Sequence, residues 1–169
     1  MLFYTDFFHE NCSFGMTRGS TEEHIVKSQL LAFILLVGVA NAKHFTRCEL
    51  ARTLQAAGMD GYAGVGLADW TCLASTASSY NSQTTTRNSD GSTSYGIFQI
   101  NNRRWCSSDQ VPSFNSCRIS CSQLLTDDIT ADIECAKTIA NQQSILFWPG
   151  WQANCQAREL GQYIAGCEL

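Results

Sequence analysis

The sequence predicts an α+β fold, mainly helical with a small antiparallel sheet inserted, and three observations carry that expectation. Two stretches ahead of residue 79 repeat apolar residues at helical spacing. A run of Ser, Thr, Asn and Asp then gives way at residue 95 to a β-branched and aromatic segment. Eight cysteines follow an apolar segment that reads as a secretion signal, an even number suited to a disulfide framework.

That apolar segment is LLAFILLVGVA, residues 30–40. It falls short of the roughly 20 residues that span a bilayer and fits the core of a signal peptide. Lys27 places a positive charge ahead of it, diluted by Glu22 and Glu23, and Ala40-Asn41-Ala42 supplies the small-x-small cleavage pattern. Cleavage is expected after Ala42, making residues 1–42 an N-terminal extension plus signal peptide and residues 43–169 one domain. Residues 1–26 show no periodicity and read as an upstream extension, with Met16 an alternative start. An uncleaved type II anchor is the competing reading; the short apolar run counts against it, and no stable membrane span is expected.

Within the domain, RCELARTLQAA (47–57) puts Leu50, Leu54 and Ala57 on one helical face, and Gly58 offers a stop. LADWTCLASTAS (67–78) puts Leu67, Trp70, Thr71 and Ala74 on another. Asp90-Gly91 is a hairpin-turn signal, and YGIFQI (95–100) reads as a strand leaving that turn. A cysteine-rich loop covers 104–125. Asp127 and Asp128 sit where a helix N-terminus favours negative charge, and Ile129, Ile133, Ala136, Ile139 and Ala140 mark a third helix through about Asn141. Residues 145–167 hold aromatic residues and short helical turns, with Trp70 and Trp151 expected as core aromatics.

Composition narrows the function classes. A chain that is 44% hydrophobic and 15% charged builds an ordinary core. A net charge of −4 argues against a nucleic-acid partner. His9, His24 and His44 all lie in the first 44 residues, which leaves little for a histidine metal site, and no cofactor is expected. Residues 43–169 carry nine Lys and Arg against eleven Asp and Glu, so the domain's net charge gives no steering toward an anionic surface. The sequon Asn11-Cys12-Ser13 leaves with the leader. Eight cysteines admit 105 pairings, and arithmetic alone selects none.

Four segments carry a resemblance: RCELARTL (47–54), GMDGYAGVGLADWTCLA (58–74), NSDGSTSYGIFQINNRRWC (88–106) and CSQLLTDDITADIECAKTI (121–139). With cysteine intervals of 24, 34, 11, 4, 14, 20 and 12, they make residues 43–169 resemble the C-type lysozyme and α-lactalbumin family. The resemblance implies a helical lobe and a β-lobe with a cleft between them. It also implies the pairing Cys48–Cys167, Cys72–Cys155, Cys106–Cys121 and Cys117–Cys135. The segments GLADW, GIFQINNRRWCS and VPSFNSCR are further similar to sperm acrosome members of the family that have lost both catalytic carboxylates.

Glycoside hydrolysis in this family takes two carboxyl groups, one kept protonated as the acid and one kept ionised beside the developing positive charge. The family's acid stands seven residues after the Trp of the x-Trp-x-Cys segment; from Trp70 that position is Ala77. The second carboxylate precedes the Tyr-Gly of the strand; before Tyr95-Gly96 stands Ser94. Between Trp70 and Cys106 the one remaining acid is Asp90, which reads as a turn former. Ser94 cannot stabilise a cation as a carboxylate does, and no histidine is placed to activate it.

The resemblance also assigns sugar contacts: Gln99 and Asn101 on the strand and loop facing the substrate, Trp105 and Trp148 as cleft tryptophans, and Arg104 replacing a second tryptophan beside Trp105. Some relatives bind calcium before the third helix. Here Asp132 matches one ligand position and the Asp128 backbone another, but Thr126 and Ala131 replace two needed carboxylates, so Asp128 and Asp132 are weak candidates and no metal is expected. The favoured expectation is a secreted, monomeric, non-catalytic protein that binds N-acetylglucosamine-type oligosaccharides or glycoproteins. The sperm-protein resemblance points to gamete recognition or defence, in the acrosome or another secretory vesicle. The alternatives are an active muramidase with an unrecognised catalytic residue and an α-lactalbumin-like regulatory subunit.

Overall fold

The computed structural model describes residues 43–169. The expected signal segment, cleavage site and upstream extension lie outside the described residues. Helix α1 (Arg47–Ala56) starts where Thr46 accepts a hydrogen bond from the Glu49 N–H at 3.2 Å, and it buries Leu50, Ala51 and Leu54. Helix α2 (Leu67–Ser78) buries the stripe its periodicity marks, Leu67, Trp70, Thr71 and Ala74. It ends at Ser79, whose φ of 52° turns the chain out of the helix. Helix α3 (Thr130–Gln143) buries Ile133, Ala136, Ile139 and Ala140. The short helix α4 (Pro149–Asn154) has Pro at its first position, where the missing N–H costs nothing.

Between α2 and α3 lies a three-stranded antiparallel sheet, β1 (Thr85–Arg87), β2 (Thr93–Tyr95) and β3 (Ile100–Asn101), in that order. Thr85 faces Tyr95 and Arg87 faces Thr93 across the first pair, and Ser94 faces Asn101 across the second. The hairpin around Asp90-Gly91 closes through Asn88 and Ser92, the Asn88 N–H donating to the Ser92 carbonyl at 2.9 Å.

The expected continuous strand at 95–100 is corrected. Strand β2 stops at Tyr95, and Gly96–Gln99 form a turn closed by the Gln99 N–H on the Gly96 carbonyl at 3.1 Å. The backbone takes φ 75° at Gly96 and 52° at Gln99, values no strand tolerates. The turn forms because it drives Ile97 and Phe98 into the core, where both are fully buried. Trp70 meets the Phe98 and Trp148 rings edge-on at 6.0 and 5.9 Å between centroids, so this turn and the helices share one core.

Four disulfides staple the fold: Cys48–Cys167, Cys72–Cys155, Cys106–Cys121 and Cys117–Cys135. The first two close loops of 119 and 83 residues around the helices, a constraint worth roughly 2–4 kcal/mol each. The third lies inside the β-lobe, and the fourth ties that lobe's loop to α3.

Candidate functional site

A cleft of about 470 Å³ opens beside the sheet, within the size range of ligand sites. Its lining gathers all five residues assigned to sugar contact, Gln99, Asn101, Arg104, Trp105 and Trp148, together with Ser94 and Asp90. Chain topology explains the convergence. Ser94 and Asn101 face each other across β2 and β3, Gln99 closes the turn between those strands, and Trp148 stands at the start of α4.

Hydrogen bonding fixes these side chains. Asn101 donates through Nδ2 to Ser92 Oγ at 2.7 Å, and its Oδ1 accepts from the Arg103 N–H at 2.8 Å. Its amide therefore organises the β-lobe as well as facing the cleft. Gln99 donates to the carbonyls of Thr84 and Gly96, both at 2.9 Å, while its own Oε1 is buried without a partner. Trp148 Nε1 donates to the Phe98 carbonyl at 2.8 Å. Trp105 is fully buried, and its Nε1 also lacks a partner.

Sequence reasoning missed the reason for that burial. Phe147 packs edge-on against both tryptophans, 5.3 Å from the Trp105 centroid and 5.3 Å from that of Trp148. The Arg104 guanidinium lies over the Trp105 ring at 5.1 Å. Phe147 belongs to a run of aromatic residues whose spacing marks none of them as cleft-facing, so no local pattern reveals it. Phe114, 85% exposed, adds an apolar edge to the cleft.

The positions of the missing carboxylates are clear. Ala77 sits half-buried in the last turn of α2, packed against the core. Ser94 lines the cleft and its Oγ accepts from Asn88 Nδ2 at 3.1 Å. Asp90, the one carboxylate of the lining, accepts from the Ser92 hydroxyl at 2.6 Å and the Ser92 N–H at 2.9 Å, and Arg103 lies 3.6 Å away. The Ser92 hydroxyl, the Ser92 N–H and then the Arg103 charge hold its carboxyl below the usual range, so at neutral pH it carries no proton.

Asp132 has the opposite character. It is fully buried, and desolvation pushes its carboxyl up to about 8. Its Oδ1 accepts from the Ile97 N–H at 3.2 Å, its Oδ2 has no partner, and it does not line the cleft. For calcium the residues present do not fit. Asp128 Oδ1 accepts from the N–H and hydroxyl of Thr130, and the Asp128 carbonyl from the Thr126 hydroxyl. With Thr126 and Ala131 supplying no carboxylate and Asp132 Oδ1 already accepting from Ile97, the segment lacks the charged oxygens of a cation that takes six to eight ligands. Among the described residues no group of three or more His, Cys, Asp or Glu side chains gathers in a metal-binding arrangement.

Comparison with known proteins places this geometry. A sequence model of the C-type lysozyme/alpha-lactalbumin family matches residues 43–167. The chain is 54% identical over 138 residues to "Lysozyme C" of Takifugu rubripes, covering 81% of this chain and 96% of that protein. It is also 54% identical over 140 residues to "Lysozyme C-1" of Mus musculus, covering 81% and 95%. Lysozyme from Equus asinus superposes with a TM-score of 0.73 at 40% identity, covering 75% of this chain and all of that one. The helices, the small sheet, the four disulfides and these likenesses agree: the chain belongs to the C-type lysozyme/alpha-lactalbumin family.

Proposed function

We propose that this is a secreted, non-catalytic member of the family, whose cleft binds N-acetylglucosamine-type oligosaccharides or glycoproteins without cutting them. One observation carries the reading. The cleft's single carboxylate, Asp90, is held ionised, while Asp132, whose carboxyl is pushed up to about 8, is buried away from the cleft. Breaking a glycosidic bond needs a protonated acid against the leaving oxygen, and its loss alone costs roughly 10²–10⁴-fold in rate. The second carboxylate's position is Ser94, so the developing positive charge has no anion beside it.

Binding needs no such pair. The cleft lining sets the amides of Asn88, Gln99 and Asn101 beside the Phe147 and Trp148 rings, a mix of polar and aromatic groups suited to a sugar ring and its N-acetyl amide. Secretion is supported by the apolar segment 30–40 and by four disulfides, which persist in oxidising compartments. An acrosomal location rests on the sequence resemblance alone. Among the described residues no helix is long and apolar enough to cross a membrane.

The names of the relatives favour a second reading, an active muramidase. It would have to use Asp90 as its acid, in the wrong protonation state. Calorimetry with chitotriose and chitotetraose tests binding: saturable heat in the micromolar-to-millimolar range is expected, and a flat titration at millimolar ligand overturns the reading.

A further inference from the structure

The cleft's charge differs in sign from that of its domain. The domain holds eleven acidic against nine basic side chains, yet the cleft lining holds two guanidinium groups, Arg103 and Arg104, and one carboxylate, Asp90. Arg103 is committed to Asp90: its Nη2 donates to the Asp90 carbonyl at 2.7 Å and its Nη1 lies 3.6 Å from the carboxylate. Asp90 is further held by Ser92, so the two charges close on each other. Arg104 forms neither an ion pair nor a side-chain hydrogen bond with any described residue; its guanidinium lies over the Trp105 ring at 5.1 Å.

Stacking on an indole fixes the plane of a guanidinium while leaving its five N–H donors unused. A planar donor fork held in that way matches a carboxylate or sulfate, which it binds through two parallel hydrogen bonds. A neutral sugar placed against it leaves that exposed charge without a counter-charge, whereas an acidic one supplies it. Ser94 stands where the family keeps an ionised carboxylate, so that negative charge is absent from the cleft lining. Phe114 beside the cleft offers an apolar surface for a ring face.

From this we propose that the cleft selects an acidic oligosaccharide, carrying a carboxylate or sulfate, with Arg104 as the group that recognises the charge. The proposal rests on the glycan-binding reading above and names its ligand class. The two sources of negative charge are distinguished by the probes.

The test titrates the full secreted protein with three tetrasaccharides of one backbone: neutral chitotetraose, a carboxylated form and a 6-O-sulfated form, each at low and high salt. At least one acidic form is expected to bind about tenfold or more tighter than the neutral one at low salt, with the ratio shrinking as salt rises. In Arg104→Gln that ratio is expected to fall to near one, while Arg52→Gln, the same charge change on the exposed face of α1, keeps it. Preference for the carboxylated or for the sulfated form alone supports the proposal and identifies the anion. Equal affinity for neutral and acidic forms overturns it and leaves glycan binding standing. A preference that survives Arg104→Gln also overturns it. Absence of binding to all three overturns both readings.

Discussion

The ring of Phe147 stands edge-on to that of Trp105, with centroids 5.3 Å apart and planes at 84°, and the Trp105 indole N–H is buried without a partner. Phe147→Ala is therefore expected to uncover Trp105. Tryptophan quenching by acrylamide should rise, and chito-oligosaccharide affinity should rise several-fold because an unused donor becomes reachable. The lost packing should cost about 1–2 kcal/mol in stability, less than a fully buried phenylalanine. Unchanged quenching would show that Phe147 does not cover the indole.

Asp132 predicts the slope of stability against pH. Its carboxyl is raised in the folded protein to about 8 from an ordinary 3.8. Below 3.8 both states hold the proton. Between the two values the unfolded chain releases it and the folded chain keeps it, so stability falls as pH rises through that window and levels off above it. The decline from this one group cannot exceed about 1.4 kcal/mol per pH unit. Asp132→Asn keeps an acceptor for Ile97 and cannot ionise, so its denaturation midpoints should fall less between pH 5 and 8 than those of wild type. Parallel curves would contradict the burial argument.

Gly96 holds the turn that the strand expectation missed. A Cβ there would lie 2.2 Å from Asp132 Oδ1 and 2.4 Å from the Leu124 carbonyl oxygen, at a φ of 75°. Gly96→Ala should therefore destabilise by about 3 kcal/mol, read from urea midpoints. A loss below 1 kcal/mol would mean the turn relaxes freely.

Asp90 has a modest structural part. Its carboxyl is lowered by Ser92 and Arg103, so its contribution is complete above the unfolded value of 3.8 and disappears as pH falls through the lower folded value. Asp90→Asn should lower the melting temperature slightly at pH 7 and by less at pH 2. An equal drop at both values would assign its role to packing instead.

Much of this architecture was legible because its causes are local. The stripes Leu50–Leu54 and Leu67–Trp70–Ala74 mark their helices by spacing alone, and both are buried as marked. The disulfide pairing is legible only through the family resemblance, since spacing admits many pairings. The segment 95–100 misled because β-branched and aromatic residues suit a strand and a buried turn equally. What decides between them is Asp132 and Leu124 crowding Gly96 from another part of the chain. The same holds at the cleft: the positions of Ala77 and Ser94 are read from sequence, but the burial of Trp105 depends on Phe147, brought in by the fold.

Loss of the proton donor and of the charge stabiliser from the cleft is read in the rate at which purified protein clears a bacterial cell-wall suspension. Wild type is expected to clear no faster than buffer. The double variant Ala77→Glu/Ser94→Asp, in which the Asn88 amide stands ready to support the new carboxylate, is expected to gain measurable clearing. Wild-type clearing that persists through repurification is incompatible with that loss, and its disappearance or survival in Asp90→Asn would show whether Asp90 is the donor.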